Sequence, residues 1–404
     1  MNIKEAKEEI GKEIVIAGYV KEFRNLGRIK FVILRDWKDE IQVVLKNEDI
    51  SLNREDVVEF KGKSQENKIA PGGIEFIPET YTILSRVERK LPVDTLDLVK
   101  SELDTRLTYR FIDLRKRKIE NIFIKKSHIL RAFRNFLYKN EFIEINPPII
   151  VGAATEGGAD VFEIKYFERK AYLAQSPQLY KQMAIVGGLE KVFMTIPVFR
   201  AEKHNTTTHL NEILQMDVEM AYADDKKAMK LLEETFKYIL KQVVKKDVNV
   251  YYHTYTELVD LLNENNIKKE WGEDFTKEEE KKLNEILNEE AYIIYEWPTL
   301  ARAFYSMPKE NEPELCKAYD LIYKGLEISS GAQRIHIPSL LEEQLRKRGL
   351  NPIDFSFYID AFRFGAPPHA GWSIGLERIT MKMLDLDNIR EASLFPRDRT
   401  RITP

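Results

Sequence analysis

FRAEKHNTTTHLNEILQMDVEMAY, residues 199–222, is the stretch that decides the fold of the larger part of this chain. The pattern predicts a strand ending near Arg200 and Glu202, a polar loop, and a second strand with Asp217 and Glu219 on one face. Such a hairpin directs several charged groups at one place. An arginine can hold a phosphate through two parallel hydrogen bonds, and Glu202 can accept from an amino group such as that of adenine. A surface hairpin joined by salt bridges would show the same pattern, so the stretch alone leaves both interpretations open.

A second signal, GWSIGLERITMKML, begins at Gly371. Gly371 and Gly375 precede Glu377 and Arg378, which stand at the head of an apolar helical pattern. Arg378 is therefore expected to project from the first turn of a helix, where small residues let a ligand come close. The alternative is a glycine-rich turn capped by an ion pair. The order of the signals favours a ligand site, because this one follows both the hairpin and Pro148.

Short apolar runs with partial alternation occupy the N-terminal part of the chain and predict five strands between residues 13 and 87. The runs are EIVIAGYV, RIKFVILRD, DEIQVVLKN, DVVEFKGK and IEFIPETYTIL. Because no room is left for crossover helices, these strands predict a small closed barrel, and the OB-fold is the five-stranded barrel that binds oligonucleotides. A barrel that serves only as a scaffold would have the same pattern.

The rest of the chain is predicted to form a second domain, of the α+β class. Residues 88–118 are a polar connector that ends in a dense basic run. An amphipathic helix follows, with apolar residues at spacings of three and four. They are Ile119, Ile122, Phe123, Ile129, Leu130, Phe133 and Leu137. The predicted domains are therefore 1–87 and 119–404, and residues 262–290 are expected to be a charged, helical and solvated excursion to which the pattern assigns no chemistry.

Length and composition narrow the class of protein. At 404 residues and 43% hydrophobic content, the chain can form two domains with sizeable cores. The 63 basic and 66 acidic residues leave a net charge of −3, so a phosphate-binding surface has to be a local patch. Cys316 is the only cysteine, and no stretch of about 18 apolar residues occurs. A reducing, cytoplasmic compartment is expected, rather than a disulfide-bonded secreted protein or a membrane protein.

Pro148 after the long helix, FRAE with its loop, and GLER before a helix resemble the three ordered motifs of the class II aminoacyl-tRNA synthetases. Longer stretches are similar to the archaeal-type aspartyl-tRNA synthetase family of subclass IIb. They are ATEGGADVFEIKYFERKAYLAQSPQLYKQ, RAEKHNTTTHLNE, DLIYKGLEISSGAQR, FRFGAPPHAGW and FPRDRTRITP. The resemblance covers nearly the whole chain. It implies an OB-fold anticodon-binding domain followed by a catalytic domain with an antiparallel sheet flanked by helices.

The activity that the resemblance implies is a two-step ligation of L-aspartate to tRNA, with ATP as a substrate and Mg²⁺ as the metal. Aspartate and ATP form aspartyl-adenylate, and the 3′ end of tRNA(Asp) then takes the aspartyl group. Whether tRNA(Asn) is charged as well stays open. The resemblance also implies a homodimer, with the long helix and the Pro148 region at the subunit contact.

The resemblance assigns roles to individual residues. Arg200 would bridge the α-phosphate and the substrate carboxylate, Arg378 would hold the γ-phosphate, and both count as catalytic because they neutralise charge in the transition state. Glu327 and Ser330 would bind Mg²⁺ through hard oxygen atoms. The ATP-binding set is Arg200, Glu202, Thr208, His209, Leu210, Glu327, Gly375, Leu376, Glu377 and Arg378. The aspartate-binding set is Glu156, Ser176, Gln178, Lys181, Arg200, Asp217, Ser330, Arg334 and His369.

Two basic residues in the matching motifs bear on the choice of amino acid. A buried carboxylate without a cationic partner is very costly, and Lys181 and Arg334 meet that need. An asparagine pocket would require a donor and an acceptor instead. For Lys181 the alternative is a solvated surface lysine, which is the commonest fate of a lysine.

In the barrel, four residues match family positions for the anticodon: Arg24, Phe31, Gln42 and Glu75. An exposed phenylalanine offers a stacking face to an unpaired base, and Gln or Glu can hydrogen-bond to its edge. Core packing is the alternative for Phe31, because Ile29 and Ile33 share its alternation.

Several positions depart from the family pattern. Thr208 stands where many relatives carry an arginine, Ile213 where many carry an aromatic residue, and Ser373 where a glycine is usual. Ala332 and Lys21 are further departures. The rival functions are an asparaginyl-tRNA synthetase or a tRNA-independent amide-forming relative, and a non-catalytic paralogue. Lys181 and the barrel argue against the first group, and the intact set of charged motif residues argues against the last.

Overall fold

The computed structural model describes residues 1–152 and 161–404 of the chain. It divides into two compact units, Met1–Ile112 and Asp113–Pro404. The boundary between them along the chain falls within the predicted connector. In the described ranges no helix combines the length and the apolar character that crossing a membrane requires.

The first unit is a closed five-stranded barrel, which confirms the predicted OB-fold. A short helix, α1 (Ile3–Glu8), precedes the strands, and their order around the barrel is β1-β2-β3-β5-β4. The strands are β1 (Glu13–Asn25), β2 (Ile29–Arg35), β3 (Glu40–Lys46), β4 (Val57–Glu66) and β5 (Ile74–Ser85). Alternate apolar side chains, such as Val32 and Leu34 of β2, fill the interior. Two short helices follow, α2 (Leu103–Thr108) and α3 (Arg110–Asp113).

An eight-stranded sheet organises the second unit. Its order is β12-β13-β14-β15-β16-β11-β10-β6, and its pairs are antiparallel except β6 with β10 and β12 with β13. The strands are β6 (Ile143–Glu144), β10 (Lys191–Phe199), β11 (Glu212–Ala221), β12 (Tyr251–Thr254), β13 (Ala291–Pro298), β14 (Leu315–Tyr323), β15 (Leu326–Arg334) and β16 (His369–Gly375). A small sheet has the order β7-β9-β8. Its strands are β7 (Ile150–Val151), β8 (Glu163–Tyr166) and β9 (Arg169–Leu173).

Helices cover the large sheet and surround its open side. They are α4 (Arg117–Lys139), α5 (Gln178–Val186), α6 (Asp225–Val244), α7 (Tyr255–Glu264), α8 (Lys277–Leu287), α9 (Pro338–Lys347), α10 (Ser356–Arg363) and α11 (Leu376–Met383). One apolar core includes Phe133 of α4, Phe236 of α6, Ile379 of α11 and Trp372 of β16. The predicted amphipathic helix is thus α4, and its buried side faces this core as its spacing requires.

Side chains along β11 alternate between the two faces of the sheet, one facing the apolar core and the other facing the site. Met216, Val218 and Met220 point into the helix-covered core. Asp217 and Glu219 therefore point to the other side of the sheet, although both are buried there. This side carries the charged residues that the sequence singled out.

The segment 262–290 differs from the expected solvated helix. Its helical parts are α8 and the end of α7, which reaches Glu264, and the residues between α7 and α8 are not helical. Phe275 and Leu283 pack into an apolar cluster with Tyr255 and Trp297, so the segment is anchored on the sheet. The many charged residues suggested a fully solvated segment, but its few apolar residues are spaced so that they face one side and pack against the sheet.

Candidate active site

Four polar side chains lie side by side across the middle of the sheet. Asp217 of β11 is opposite Ser373 of β16, Ser373 is opposite Ser330 of β15, and Ser330 is opposite Asp320 of β14. Opposite residues of neighbouring strands point to the same face. The row places two carboxylates and two hydroxyls on the open side of the sheet. Ser373, a departure from the family pattern, donates to Asp217 Oδ2 at 3.2 Å.

A cavity of about 480 Å³ opens on this face. Its lining includes eight of the predicted site residues, namely Ser176, Gln178, Lys181, Arg200, Asp217, Glu327, Ser330 and Arg334. The structure therefore brings together residues that are up to 158 positions apart in the chain, from Ser176 to Arg334. Glu156 lies outside the described residues.

Lys181 and Arg334 form the buried, charged floor of this cavity. Only 1% of the Lys181 surface and 3% of the Arg334 surface is exposed, which contradicts the surface-lysine alternative. Lys181 Nζ lies 2.9 Å from Asp217 Oδ1 and 3.4 Å from Glu219 Oε2. Arg334 Nε lies 3.0 Å from Glu219 Oε1 and its Nη2 donates to Gly371 O at 2.8 Å. Two cations and two carboxylates thus share one network away from solvent.

The network favours the charged forms of Glu219 and Arg334. Burial would raise the pKa of Glu219, but Arg334 and Lys181 outweigh it and hold that pKa below its ordinary value. Burial would lower the pKa of Arg334, and Glu219 outweighs it in the opposite direction. Gly371 makes room for the pair, because a Cβ there would stand 2.3 Å from Glu219 Oε2 and 2.1 Å from Val218 O. The space beside this glycine is therefore filled by Glu219 and not by a ligand.

Polar atoms of the cavity wall are left for a ligand. Ser176 Oγ, Gln178 Nε2 and Gln215 Oε1 are buried and have no hydrogen-bond partner among the described residues. Buried polar groups are normally satisfied, so such atoms around one cavity indicate that a polar molecule completes it. The first turn of α5 supplies Gln178 and Lys181, which its spacing directs at the sheet.

His369 lies behind the cavity and does not line it. Its Nε2 is 3.1 Å from Gln182 Oε1, which also accepts from the Tyr358 hydroxyl at 2.7 Å. Burial lowers the pKa of His369, against the opposing effect of Glu219. The other ring nitrogen, Nδ1, is 2.8 Å from Pro367 O, and the place of His369 in the aspartate site stays a prediction.

A smaller cavity of about 100 Å³ adjoins the first. Both are lined by Arg200, Gln215, Glu327, Ser330 and Ser373. The second adds predicted ATP-site residues, namely Glu202, Thr208, His209, Leu210, Gly375, Glu377 and Arg378, together with Ile213. Leu376 instead belongs to the apolar core.

Arg200 stands where the two cavities meet. Its backbone is held across the hairpin, because Arg200 N donates to Asn211 O at 2.9 Å and Asn211 Nδ2 donates to Arg200 O at 2.7 Å. A guanidinium at this junction can contact groups in both cavities.

Arg378 and His209 form the charged end of the second cavity. Arg378 Nη1 donates to Glu327 O at 3.0 Å, and Nη2 lies 3.1 Å from His209 Nε2. Because a guanidinium only donates, Nε2 accepts and the imidazole proton sits on Nδ1, 2.8 Å from Thr206 Oγ1. Burial, Arg378 and Lys277 lower the pKa of His209 to about 4, so the ring is neutral at physiological pH.

Glu377 serves the architecture of the site. Its Oε1 accepts from Lys126 Nζ at 2.6 Å, and its Oε2 accepts from Leu214 N at 3.0 Å. Since both oxygens are engaged, Glu377 ties α4 and β11 to the start of α11. Arg378 next to it is thereby held in place.

Sequence reasoning missed two residues of the site, Gln215, which lines both cavities, and Asp320, which lies beside Ser330. Gln215 alternates with Met216, so period-two counting from Asp217 would have placed it on the same face. Asp320 had no such signal, since only the register between β14 and β15 puts it beside Ser330.

The barrel has a separate groove of about 550 Å³. Arg24, Phe31 and Gln42 line it, with Lys21 and Asn67. Phe31 alternates with Val32 and Leu34, which fill the barrel interior, so its ring faces outward and the core-packing alternative is wrong. Glu75 does not line the groove. It accepts from Gln65 Nε2 at 2.8 Å and from Asn67 Nδ2 at 2.7 Å, which positions Asn67 at the groove.

Comparison with known proteins agrees with this architecture. Residues 102–399 match the family described as tRNA synthetases class II (D, K and N), and residues 14–84 match the OB-fold nucleic acid binding domain. An aspartate–tRNA(Asp/Asn) ligase of Methanocaldococcus jannaschii is 46% identical over 98% of this chain and 95% of its own length. An aspartate–tRNA(Asp) ligase of Pyrococcus abyssi is 44% identical over 99% of this chain and 98% of its own.

Among solved structures, asparaginyl-tRNA synthetase from Pyrococcus horikoshii, complexed with asparaginyl-adenylate, is similar over 100% of this chain and 99% of that one. The TM-score is 0.94 and the identity 31%. Because sequence and fold match over nearly the whole length, the chain belongs to the class II aminoacyl-tRNA synthetases of the aspartate, lysine and asparagine group.

Proposed function

We propose that the chain is an aspartate–tRNA ligase, which activates L-aspartate with ATP and transfers it to the 3′ end of tRNA(Asp). The observation that carries the proposal is the pair of buried cations, Lys181 and Arg334, on the floor of the larger cavity. A buried substrate carboxylate requires such partners. Arg200 connects this cavity with the one where Arg378 lies, so an amino acid and a nucleotide would meet at Arg200.

The chemistry follows from the charges. The α-carboxylate of aspartate attacks the α-phosphorus of ATP, and pyrophosphate leaves. The tRNA hydroxyl later attacks the carbonyl carbon of the adenylate and loses its proton, and the acyl–phosphate bond breaks to release AMP. Both reactants of the first step are anions, so their approach requires positive charge at the reacting atoms. Arg200 supplies it there, and Arg378 holds the far phosphates. No side-chain nucleophile is needed, and the protein acts by positioning and by charge stabilisation.

Glu327, Ser330 and Asp320 are the residues that would hold Mg²⁺. Two carboxylates and a hydroxyl are hard oxygen donors, which suit this ion. Ser330 is the cross-strand neighbour of Asp320, and Glu327 precedes it on β15. Among the described residues no group of three or more His, Cys, Asp and Glu side chains could hold a metal by itself. Mg²⁺ bound through nucleotide phosphates needs only one or two carboxylates. When bound, it neutralises phosphate charge.

The relatives support aspartate as the amino acid, and they differ in the tRNA. One is named for tRNA(Asp) and tRNA(Asn), the other for tRNA(Asp) alone. The fold is shared with an asparaginyl-tRNA synthetase, so the fold does not distinguish the two amino acids. The buried cations favour aspartate, because a neutral amide gains nothing from a second positive charge.

The direct test is amino-acid-dependent exchange of pyrophosphate into ATP by the purified chain. We expect exchange with aspartate and a specificity constant for asparagine lower by about 100-fold or more, since one desolvated charge interaction distinguishes the two. Charging of purified tRNA(Asp) and tRNA(Asn) is then measured separately. Faster exchange with asparagine than with aspartate would contradict the proposal in favour of an asparaginyl-tRNA synthetase.

We also propose that the barrel groove binds the anticodon, with Phe31 as a stacking platform. The outward ring beside Gln42 and Arg24 supports this, because an exposed aromatic face suits an unpaired base.

Replacing Phe31 with alanine should lower the specificity constant for tRNA charging by about 5- to 150-fold, which corresponds to the loss of one stacked base. Pyrophosphate exchange should be unchanged, because the substitution lies in the other compact unit. Ile29→Ala is the matched control, since Ile29 is on the same strand and 41% exposed but does not line the groove. Equal losses in tRNA charging and in pyrophosphate exchange, or a large fall in Tm, would contradict the assignment of Phe31 to the tRNA-binding groove.

Two further features belong to the proposal. The chain forms a homodimer through the α4 and Pro148 region, where Ile124, Tyr138 and Ile143 leave apolar surface exposed. Protein synthesis takes place in the cytoplasm, which is the compartment we propose.

A further inference from the structure

Lys277, at the start of α8, reaches the charged end of the smaller cavity. Its Nζ donates to Thr208 Oγ1 at 2.9 Å and lies 3.4 Å from His209 Nδ1. Lys277 also lines, with Arg378 and Glu327, an adjoining cavity of about 140 Å³. A segment without assigned chemistry thus places an ammonium group beside the predicted ATP residues.

The contact with His209 is not a hydrogen bond. Arg378 Nη2 approaches Nε2 of the ring, so the proton is on Nδ1 and faces Thr206 Oγ1. An ammonium cannot donate to a nitrogen that already carries a proton. Lys277 therefore uses one donor, toward Thr208, and no carboxylate of the described residues forms an ion pair with it.

Like charges gather around this ring. Arg378 and Lys277 stand at opposite edges of the neutral imidazole of His209, and both lower its pKa, as Arg200 does. Carboxylates lie close by as well, because Glu202 Oε1 is 4.0 Å from His209 Nε2 and the carboxylates of Asp274, Glu280, Asp320 and Glu327 line the adjoining cavity. None of them forms an ion pair with Lys277 among the described residues, so a phosphate oxygen can supply the missing partner of its ammonium.

The position of Lys277 is built into the fold. Thr276 and Glu279 form a capping box at the start of α8, with Thr276 N donating to Glu279 Oε2 at 2.7 Å. Buried Lys269 anchors the same turn, 3.1 Å from Glu279 Oε2. Lys269 is paired and structural, whereas the ammonium of Lys277 points to a cavity.

We propose that Lys277 binds the β- and γ-phosphate end of ATP, as a third phosphate-binding cation beside Arg200 and Arg378. The inference rests on the ATP site of the proposed function. It assigns to α8 a direct part in nucleotide binding.

The test compares binding of ATP and of AMP, each with Mg²⁺, by calorimetry at low ionic strength. Lys277→Met should lower the affinity for ATP by about tenfold, which corresponds to the loss of one charge-assisted hydrogen bond to phosphate. AMP lacks the β- and γ-phosphates, so its affinity should stay within about twofold. Lys277→Arg keeps the charge and should remain within about threefold of the unaltered protein.

Lys282→Met is the matched control, because Lys282 is on the same helix, 52% exposed, and paired with Glu285. It should leave both affinities unchanged. Unaltered ATP binding in Lys277→Met would overturn the inference, as would equal weakening of ATP and AMP, which indicates a structural tether. The assay contains no amino acid and no tRNA. A failure of aspartate-dependent exchange in the unaltered protein would therefore count against the proposed function and not against Lys277.

Discussion

Replacing Arg378 with methionine is expected to slow aspartate-dependent pyrophosphate exchange by about 100- to 1,000-fold, because a preorganised cation that holds the departing pyrophosphate is lost. Arg378 stands at the N-terminal turn of α11 and faces the cavity with 23% of its side chain exposed. Glu327 and His209 hold it there from two sides. Its charge is thus fixed before the nucleotide arrives, which is the condition under which such a group contributes most.

Two controls separate charge from architecture. Arg378→Lys keeps a cation but loses the paired geometry of the guanidinium, so an intermediate rate is expected. Arg346→Met removes an arginine of α9 that is 62% exposed and pairs with Glu342, and it should leave exchange unchanged. Exchange by a folded Arg378→Met protein at nearly the original rate would show that this arginine has only a structural role, in its contacts with Glu327 and His209.

Replacing Lys181 with methionine should collapse the preference for aspartate over asparagine. Methionine keeps most of the volume of the side chain and removes the charge. Aspartate would then have Arg334 as its remaining partner on the cavity floor, and the loss of one desolvated partner costs about 3 to 5 kcal/mol. Asparagine is neutral and should lose much less. The measured quantity is the ratio of the two specificity constants in pyrophosphate exchange, because damage to the fold lowers both together.

The structure adds a second consequence for this variant. Lys181 is the ammonium partner of Asp217, so its loss leaves a buried carboxylate with the Ser373 hydroxyl at 3.2 Å. A fall in Tm is therefore expected. In Lys181→Met with Asp217→Asn, the stranded charge is absent, and Tm should recover while the preference for aspartate stays collapsed.

Lys191→Met serves as the surface control, since Lys191 is 41% exposed and its loss should change neither Tm nor the ratio. An unchanged ratio in a folded Lys181→Met protein would remove Lys181 from the pocket and would reopen the choice between aspartate and asparagine.

Local patterns were sufficient for the fold and for much of the site. The alternation of β1 to β5 predicted the barrel, and the spacing of apolar residues in α4 predicted its buried side. The motifs named Arg200, Lys181 and Arg334, which the structure places around one cavity. These features repeat over a few residues or match a known motif, so they can be recognised in the sequence before the fold is known.

Pairing partners could not be predicted in this way. Glu377 was expected in the ATP site and lines the smaller cavity, but no local pattern showed that it would accept from Lys126, 251 residues earlier. His369 was expected at the amino acid, and no local pattern showed that its Nε2 would lie 3.1 Å from Gln182 Oε1, 187 residues earlier. A motif names a residue type at a position, but the direction of the side chain depends on what packs against it.

The sequence by itself determined the two kinds of domain, the order of the motifs and the presence of enough basic groups to hold an anionic substrate. Only the tertiary structure decided which charges meet. Asp320 reaches Ser330 through strand register, and Lys277 reaches Thr208 across 69 positions. The physical reason is that burial and electrostatic pairing depend on distance in space, and sheet register and helix packing bring together residues whose separation along the chain carries no periodic signal.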